Sequence, residues 1–431
     1  MLRLYDTRTG QVERIVPEGA RALRMRTCGP AVHRFAHLGD LRSHLLSDLI
    51  RRVGERRRLR VVVCRDIIDV GRPADDAGTG PAGAAPAGEV LSQARAEGRD
   101  APETARLHEA ARLHEDAFTA DATALNIRPP EHSPRATETI EPMIELVAEL
   151  IGKGHAYPAP DGSVFFDAAS FPSYGEVSSY EEVSGDRLDG AGPGRRPGDA
   201  RAGAGGRSPA DWVLWRAADR GPAWEAPWGR GLPGRHLGCS VMSLRFLGER
   251  VDVHTGGVDL RFPHHEYGRA QCDAAAGHEV VRHWVHSENV LFDGHGIPES
   301  GGDAVLLKDV TGAGLDPLAV RLAFLEHHHR RPVNLTWETL RAADLTLRRW
   351  RARVAEWSES PSVPMPAEWV ARVEAAFDDD LDTPLALRLL RELERDGSVA
   401  PGARFETFLH LDQVLGLDLS CDIGRAGSLP G

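Results

Sequence analysis

Ala22-Leu23-Arg24-Met25-Arg26-Thr27-Cys28 alternates apolar and polar side chains as a strand does, and it stops at Gly29-Pro30. From about Asp40 to Arg52, Leu41, Leu45, Leu46, Leu49 and Ile50 recur at helical spacing. Leu59-Arg60-Val61-Val62-Val63-Cys64 then reads as a buried strand. Strand, glycine turn, helix and strand in that order predict the first half of a nucleotide-binding α/β layer.

Working outward, residues 71–95 are rich in Gly, Ala and Pro and read as a mobile loop. A short helical piece follows, containing the near-repeat Ala-Arg-Leu-His-Glu at 105–109 and 111–115. A capped helix is expected from Arg135 through Ile140, Ile144, Val147 and Ile151, closing near Gly154. Val164-Phe165-Phe166-Asp167 reads as a strand of a small inserted domain, and 182–208 as a surface loop or a disordered segment. The α/β pattern resumes after Gly234, with a strand at 251–254, a helix from Glu266 to Ala276 and a further strand near Val290-Leu291-Phe292. Beyond Asp316 the apolar residues keep helical spacing to about Leu417, which predicts a C-terminal helical bundle.

Composition narrows the function classes. The 431 residues carry 52 Lys and Arg against 64 Asp and Glu, a formal charge of −12, so no global field draws in DNA or an anionic membrane. The strongest basic run, Arg51 to Arg60, holds six arginines and reads as a solvated face or a polyanion contact. No long uncharged apolar stretch is present, and a cytoplasmic location is expected. Five widely spaced cysteines argue against a disulfide framework and leave metal binding, burial or reactivity. Two of them, Cys28 and Cys239, lie in stretches that look like halves of one site, with His37-Leu38-Gly39-Asp40, His254-Thr255-Gly256-Gly257 and Phe262-Pro263-His264-His265-Glu266. Brought together, these would give a soft thiolate and imidazole site beside a cradle lined by glycines such as Gly29.

The ordered set Leu4-Tyr5-Asp6-Thr7, Pro134-Arg135-Ala136-Thr137-Glu138, Asp211 to Trp215, Ser240 to Gln271 and Phe377 to Pro384 resembles class I aminoacyl-tRNA synthetases of the cysteinyl type. It equally resembles their shortened relative, the cysteine ligase of mycothiol biosynthesis. The resemblance implies a Rossmann-like α/β catalytic domain over 1–125 and 234–312, an inserted domain over 126–233 and a helical stem over 313–431. It also implies that the anticodon-binding extension of the full-length synthetase is missing, which counts against tRNA as the charged product.

The same resemblance implies zinc on Cys28, Cys239 and His264, with Gly268 where a fourth ligand, a glutamate, is expected; His265, Glu266 or water would then complete the tetrahedron. Asp259 matches the carboxylate that meets a substrate ammonium. The pocket departs from the pattern at Arg235 in place of tryptophan, Ile68 in place of threonine and Gly238 in place of glutamate. Arg235 either receives a substrate carboxylate or faces solvent.

On the nucleotide side, His37 and Gly39 keep the first signature for ATP, while Asp40 replaces its second histidine and serves alternatively as the helix N-cap. Gly256, Gly257 and His286 match the adenosine floor, and Trp284 is either nucleotide contact or core. The second signature reads Gly296-Ile297-Pro298-Glu299-Ser300 and lacks both lysines, which argues against ATP-dependent adenylation. Lys308, Arg269 and His295 are the nearby cations.

The expected function is a ligase joining an amino acid to a small-molecule or carrier acceptor in specialised metabolism. A transferase taking a pre-activated aminoacyl group, for example from tRNA, and a non-catalytic paralogue binding nucleotide, amino acid or a partner protein are the alternatives.

Overall fold

The computed structural model describes residues 1–16, 19–30, 32–70, 103–177, 206–208, 210–218, 223–297 and 304–425. Residues 71–95, most of 182–208, and Pro298, Glu299 and Ser300 of the second signature lie outside them.

The chain begins with an antiparallel hairpin, β1 (Arg3–Asp6) and β2 (Gln11–Arg14). β3 (Ala22–Thr27) alternates as expected, burying Leu23 and Met25, and leads through Cys28-Gly29-Pro30 to α1 (Leu38–Arg56). β4 (Arg60–Arg65) closes the unit and pairs parallel with β3 in register Ala22 to Arg60. After α2 (Glu103–Ala124) and α3 (Ile140–Gly152) comes an antiparallel sheet of β5 (Ala156–Pro158), β6 (Val164–Phe166), β7 (Trp212–Ala217) and β8 (Gly231–Pro233). The main sheet is then completed by α4 (Leu237–Leu247), β9 (Val251–Gly257), α5 (Glu266–Ala276) and β10 (Val281–Ser287). Its strand order is β10-β9-β3-β4, all parallel.

The expected strand at 290–292 exists as β11 (Val290–Phe292), but it belongs to a separate small sheet with β12 (His295–Gly296) and β13 (Val333–Leu335). The main-sheet strand is β10, whose Val-Arg-His-Trp-Val-His-Ser carries too many polar residues to read as a buried strand. Its histidines are buried because the folded site and the hairpin cover them.

α6 (Leu307–Gly312) and α7 (Pro317–Leu325) lead to the bundle of α8 (Trp337–Trp357), α9 (Ala367–Asp378), α10 (Thr383–Arg395) and α11 (Pro401–Leu415). One apolar core runs from Leu23, Leu45 and Val253 into Phe324, Trp350 and Phe408, so the bundle packs directly on the sheet layer. A second core joins the β5–β8 sheet to α3, α4 and α5 through Phe166, Trp215, Met242 and Ala270.

The basic run forms the expected solvated face only in part, at Arg57, Arg58 and Arg60, which are exposed. Arg52 pairs with Asp48, Arg51 with Glu131, and Arg56 and Arg57 with Asp378 of α9, so these arginines pin α1 to its surroundings. Asp48 also accepts from Arg321 of α7 at 2.7 Å, with both side chains fully buried. Among the described residues, no helix is long and apolar enough to cross a membrane.

Candidate functional site

In an open parallel sheet, ligands bind beyond the carboxyl ends of the strands. That edge is where the singled-out residues gather. Cys28 follows β3 directly and donates its backbone N–H to Thr255 O of β9 at 3.4 Å. Gly29 comes so close to the main chain after β4 that a Cβ there would lie 1.4 Å from Asp66 O, which makes glycine obligatory. Its N–H donates to Asp66 Oδ1 at 3.2 Å. α4 brings Cys239 in on its first turn, and the irregular turn Arg261–His265 before α5 brings His264 and His265.

Cys28, Cys239 and His264 converge, their ligand atoms all within 4.8 Å of one another. Cys28 belongs to a second cluster as well, with His254 Nε2 at 3.4 Å and His265 Nε2 at 3.2 Å. The Cys239 thiol donates to Asp66 Oδ2 at 2.6 Å, and His236 Nδ1 lies 2.7 Å from His264 Nδ1. A relay continues outward: His265 Nδ1 meets His286 Nε2 at 2.7 Å, and His286 Nδ1 meets Thr7 Oγ1 at 2.8 Å.

Burial sets the charge states. It pushes His254, His264 and His265 well below the ordinary imidazole value, helped by one another and by Arg26, so they are neutral nitrogen donors. His286 is pushed down to about 3 by burial and Arg261. The hydrogen bond with Cys28, burial and the Asp66 carboxylate raise the Cys239 thiol well above its ordinary value. Beneath them lies Arg26, almost fully buried. Burial opposes its charge, yet Cys239, Cys28, Cys272 and Asp66 together raise it above the ordinary guanidinium value.

This donor set fits zinc. Two thiols and a neutral imidazole within 4.8 Å can contract onto a tetrahedral ion, leaving a fourth position for another ligand. Gly268 cannot fill it; a Cβ there would stand 3.8 Å from Arg26 Nη2 and 3.6 Å from Ser240 Oγ, in ordinary contact. Nor does Glu266, whose carboxylate accepts from the Gly175 and Val177 N–H groups at 2.9 Å each. Of the three candidates for completing the set, His265 lies 3.2 Å from Cys28 but groups with His254 in the second cluster.

The phosphate side is arranged differently. His37, not Asp40, is the N-cap of α1: its Nδ1 accepts from the Asp40 N–H at 3.2 Å while Asp40 Oδ2 accepts from the His37 N–H at 2.8 Å. The Asp40 carboxylate is also gripped by Arg34 at 2.6 and 3.0 Å. Against the cost of burial, Arg34 and His37 hold it below the usual carboxylate range. The segment after the second signature returns here, with Leu38 N–H donating to Val305 O at 3.2 Å. Lys308 is exposed and lies over the Phe35 ring at 5.3 Å. Arg269, by contrast, is committed to Glu176 and Ser173 O.

The remaining residues are placed as follows. Trp284 is fully buried under His254 and His265, with ring centroids 4.6 and 5.5 Å away, so it takes the core role of its two readings. Gly39 and Gly256 give room to protein side chains rather than open space: a Cβ would meet the His37 ring at 2.9 Å and the His265 ring at 2.6 Å. A Cβ on Gly257 would meet Asp259 Oδ1 at 2.2 Å. Asp259 and Arg235 are exposed, and Ile68 is half-buried against the β5–β8 core.

Asp66, Arg26, His236 and Arg34 were not among the expected site residues, and His254 entered only within a stretch read as part of the site. His254 and His236 sit beside expected ones in sequence and were accessible to that signal. Asp66, Arg26 and Arg34 carried none.

The profile of the family described as the tRNA synthetases class I (C) catalytic domain matches residues 14–344. A cysteine–tRNA ligase of Alkalilimnicola ehrlichii is 37% identical over 438 residues, covering 97% of this chain and 86% of the relative. One of Opitutus terrae is 36% identical over 441 residues, covering 100% of this chain and 89% of the relative. Among solved structures, methionyl-tRNA synthetase of Mycobacterium tuberculosis bound by methionyl-adenylate superposes with a TM-score of 0.58 at 16% identity, covering 92% of this chain and 90% of that one. At that identity the likeness shows the fold alone.

Proposed function

This chain belongs to the class I, cysteine-type tRNA synthetase family, and from that premise we propose a ligase-like enzyme that takes an amino acid into the Cys28–Cys239–His264 pocket and joins it to a small-molecule or carrier acceptor. The observation that carries this reading is the convergence of those three donors, drawn from separate elements, at the carboxyl edge of the sheet. Bound there, a zinc ion would supply an open position for a substrate thiolate or other soft donor. Arg26 below works against the rise that the Cys28 hydrogen bond, burial and Asp66 impose on the Cys239 thiol. Asp259 faces solvent with a charge suited to the substrate ammonium, and Arg235 with one suited to a carboxylate. His37 at the head of α1 offers an imidazole to phosphate. Amino-acid activation needs positioning and charge more than a protein nucleophile, so this inventory bears directly on rate.

A second reading is favoured by one contact. With Arg34 occupied by Asp40 and Glu299 in place of a lysine, the phosphate side is poor in available cation, as suits a transferase that receives an already activated aminoacyl group. Zinc content measured with an amino-acid-dependent ATP–pyrophosphate exchange screen separates the two, with tRNA and amine acceptors assayed apart. Zinc with exchange for one amino acid is the result expected of the ligase. Zinc without exchange, but with transfer from aminoacyl-tRNA or an aminoacyl adenylate, assigns the transferase. Neither zinc nor either activity sinks both.

A further inference from the structure

Away from the pocket, the N-terminal hairpin covers the outer edge of β10. Thr7 N–H donates to Trp284 O at 2.8 Å, and Trp284 N–H to Asp6 Oδ1 at 3.3 Å. At this seam Asp6 of β1 and His283 of β10 are 1% and 5% exposed. Asp6 Oδ2 and both ring nitrogens of His283 have no hydrogen-bond partner among the described residues. Buried polar atoms are nearly always paired, so two orphans that face each other, Asp6 Oδ2 and His283 Nδ1, call for a missing ligand. Glu13 of β2 completes the group. His283 Nδ1 stands 3.6 Å from Asp6 Oδ2 and 3.8 Å from Glu13 Oε2, too far for hydrogen bonds, and the three ligand atoms lie within 4.8 Å of one another.

We propose that Asp6, Glu13 and His283 form a divalent-metal site that clasps the hairpin to the catalytic sheet. Two carboxylates and an imidazole suit a first-row divalent cation such as Zn²⁺ or Mn²⁺, with water in the open positions. The other hydrogen bonds leave the required atoms free. Arg8 N–H uses Asp6 Oδ1, and Thr9 Oγ1 uses Glu13 Oε1. The neighbouring guanidinium, that of Arg8, is paired with Glu279 at 2.7 Å and acts on Asp6 only through space. Glu13 is partly exposed and gives the ion a way in. The clasp lies one residue from Thr7, whose hydroxyl ends the relay through His286 and His265 to Cys28. A metal here would fix the outer end of that relay without touching substrate.

The test strips the chain of metal by dialysis against a chelator, reloads it with Zn²⁺ or Co²⁺, and counts bound equivalents by elemental analysis. Glu13→Gln and His283→Phe should each bind one equivalent fewer than the parent chain. Cys239→Ser should lose a different equivalent, so the Cys239→Ser/Glu13→Gln double variant binds none. In the cobalt form, the clasp should contribute ligand-field absorption that survives Cys239→Ser and lacks thiolate-to-metal charge transfer. Unchanged stoichiometry in Glu13→Gln overturns the site. That variant lies at the surface and keeps the test valid if His283→Phe does not fold, which circular dichroism would report. Should the thiol pocket take no metal, the parent binds one equivalent and Glu13→Gln none, so failure of the pocket reading and failure of the clasp are distinguishable.

Discussion

Two buried arginines divide this molecule. Arg321, under the helical bundle, is fully enclosed; its guanidinium reaches Asp48 at 2.7 Å and the carbonyls of Leu125, Asn126 and Leu415. Arg26, under the pocket, is nearly as buried, yet its Nε has no hydrogen-bond partner among the described residues, and its charge faces thiols. The first arginine is saturated by the protein and holds α1, α7 and α11 together. The second sits where the protein left donors in excess, which is the signature of a site that expects a ligand. A structural charge is one whose partners are all internal.

Breaking the saturated hub should have the largest effect. Asp48→Asn leaves Arg321 and Arg52 with only the Asp412 carboxylate, which acts through space, as interior counter-charge and should cost about 3–5 kcal/mol of stability. Chemical denaturation would show it, and a loss under 1 kcal/mol, roughly the worth of a surface pair, would mean the hub is not a buried ion pair at all. Next comes the pocket. Cys239→Ser should lower zinc affinity by more than about 100-fold, since even outer-shell changes cost 10- to 100-fold; competition with a chromogenic chelator measures this, and unaltered affinity would move the metal to Cys28, His254 and His265.

The comparison sharpens if Arg26 is given a partner. Gly268→Glu meets only ordinary contacts at its Cβ, and its carboxylate would either neutralise Arg26 or complete the ligand set. Zinc affinity should rise about tenfold, worth about 1.4 kcal/mol, and weaker binding in the same titration would refute the compensation. Smaller still is the effect at the head of α1. Asp40→Ala removes half of the capping box and the Arg34 pair, for about 1 kcal/mol in thermal unfolding. The same variant breaks the Arg34 pair, so pyrophosphate exchange should increase if cation shortage limits it; an increase would count against the transferase, and no increase would mean that the Arg34 pair is not what limits exchange.

A separate effect is on pH. Burial and nearby arginines push His44 and His286 down to about 3 and His33 to about 4, against an ordinary value near 6.5. Below about pH 6.5 the unfolded chain therefore binds more protons than the folded one, and stability is lost as pH falls. Melting temperature should decline from about pH 7 to about pH 5, less steeply in His44→Leu. A flat profile over that range would mean that these rings are protonated in the fold.

Much of the architecture was legible from periodicity. β3, α1, β4 and α5 stand where alternation and helical spacing put them, because each is amphipathic or apolar enough to announce its own burial. β10 was not, since its buried histidines count as polar until the hairpin and the site cover them. The site was half legible. Cys28, Cys239 and His264 could be singled out by residue type and by family resemblance, and they do meet. The reassignment of the α1 cap from Asp40 to His37 turns on a register shift of three residues that sequence preference alone does not resolve.

By itself, the sequence determined the inventory: two cysteines and a run of histidines beside glycine turns, a signature stripped of its lysines, and the spacing that makes strands and helices. The tertiary structure alone decided which of these groups meet. Cys28 and His265 are 237 residues apart, and Arg34 turns inward to Asp40 rather than out to a phosphate. Local spacing sets which face of an element a residue occupies. Only strand order and helix packing set what that face confronts, and chemistry at this site depends on the confrontation.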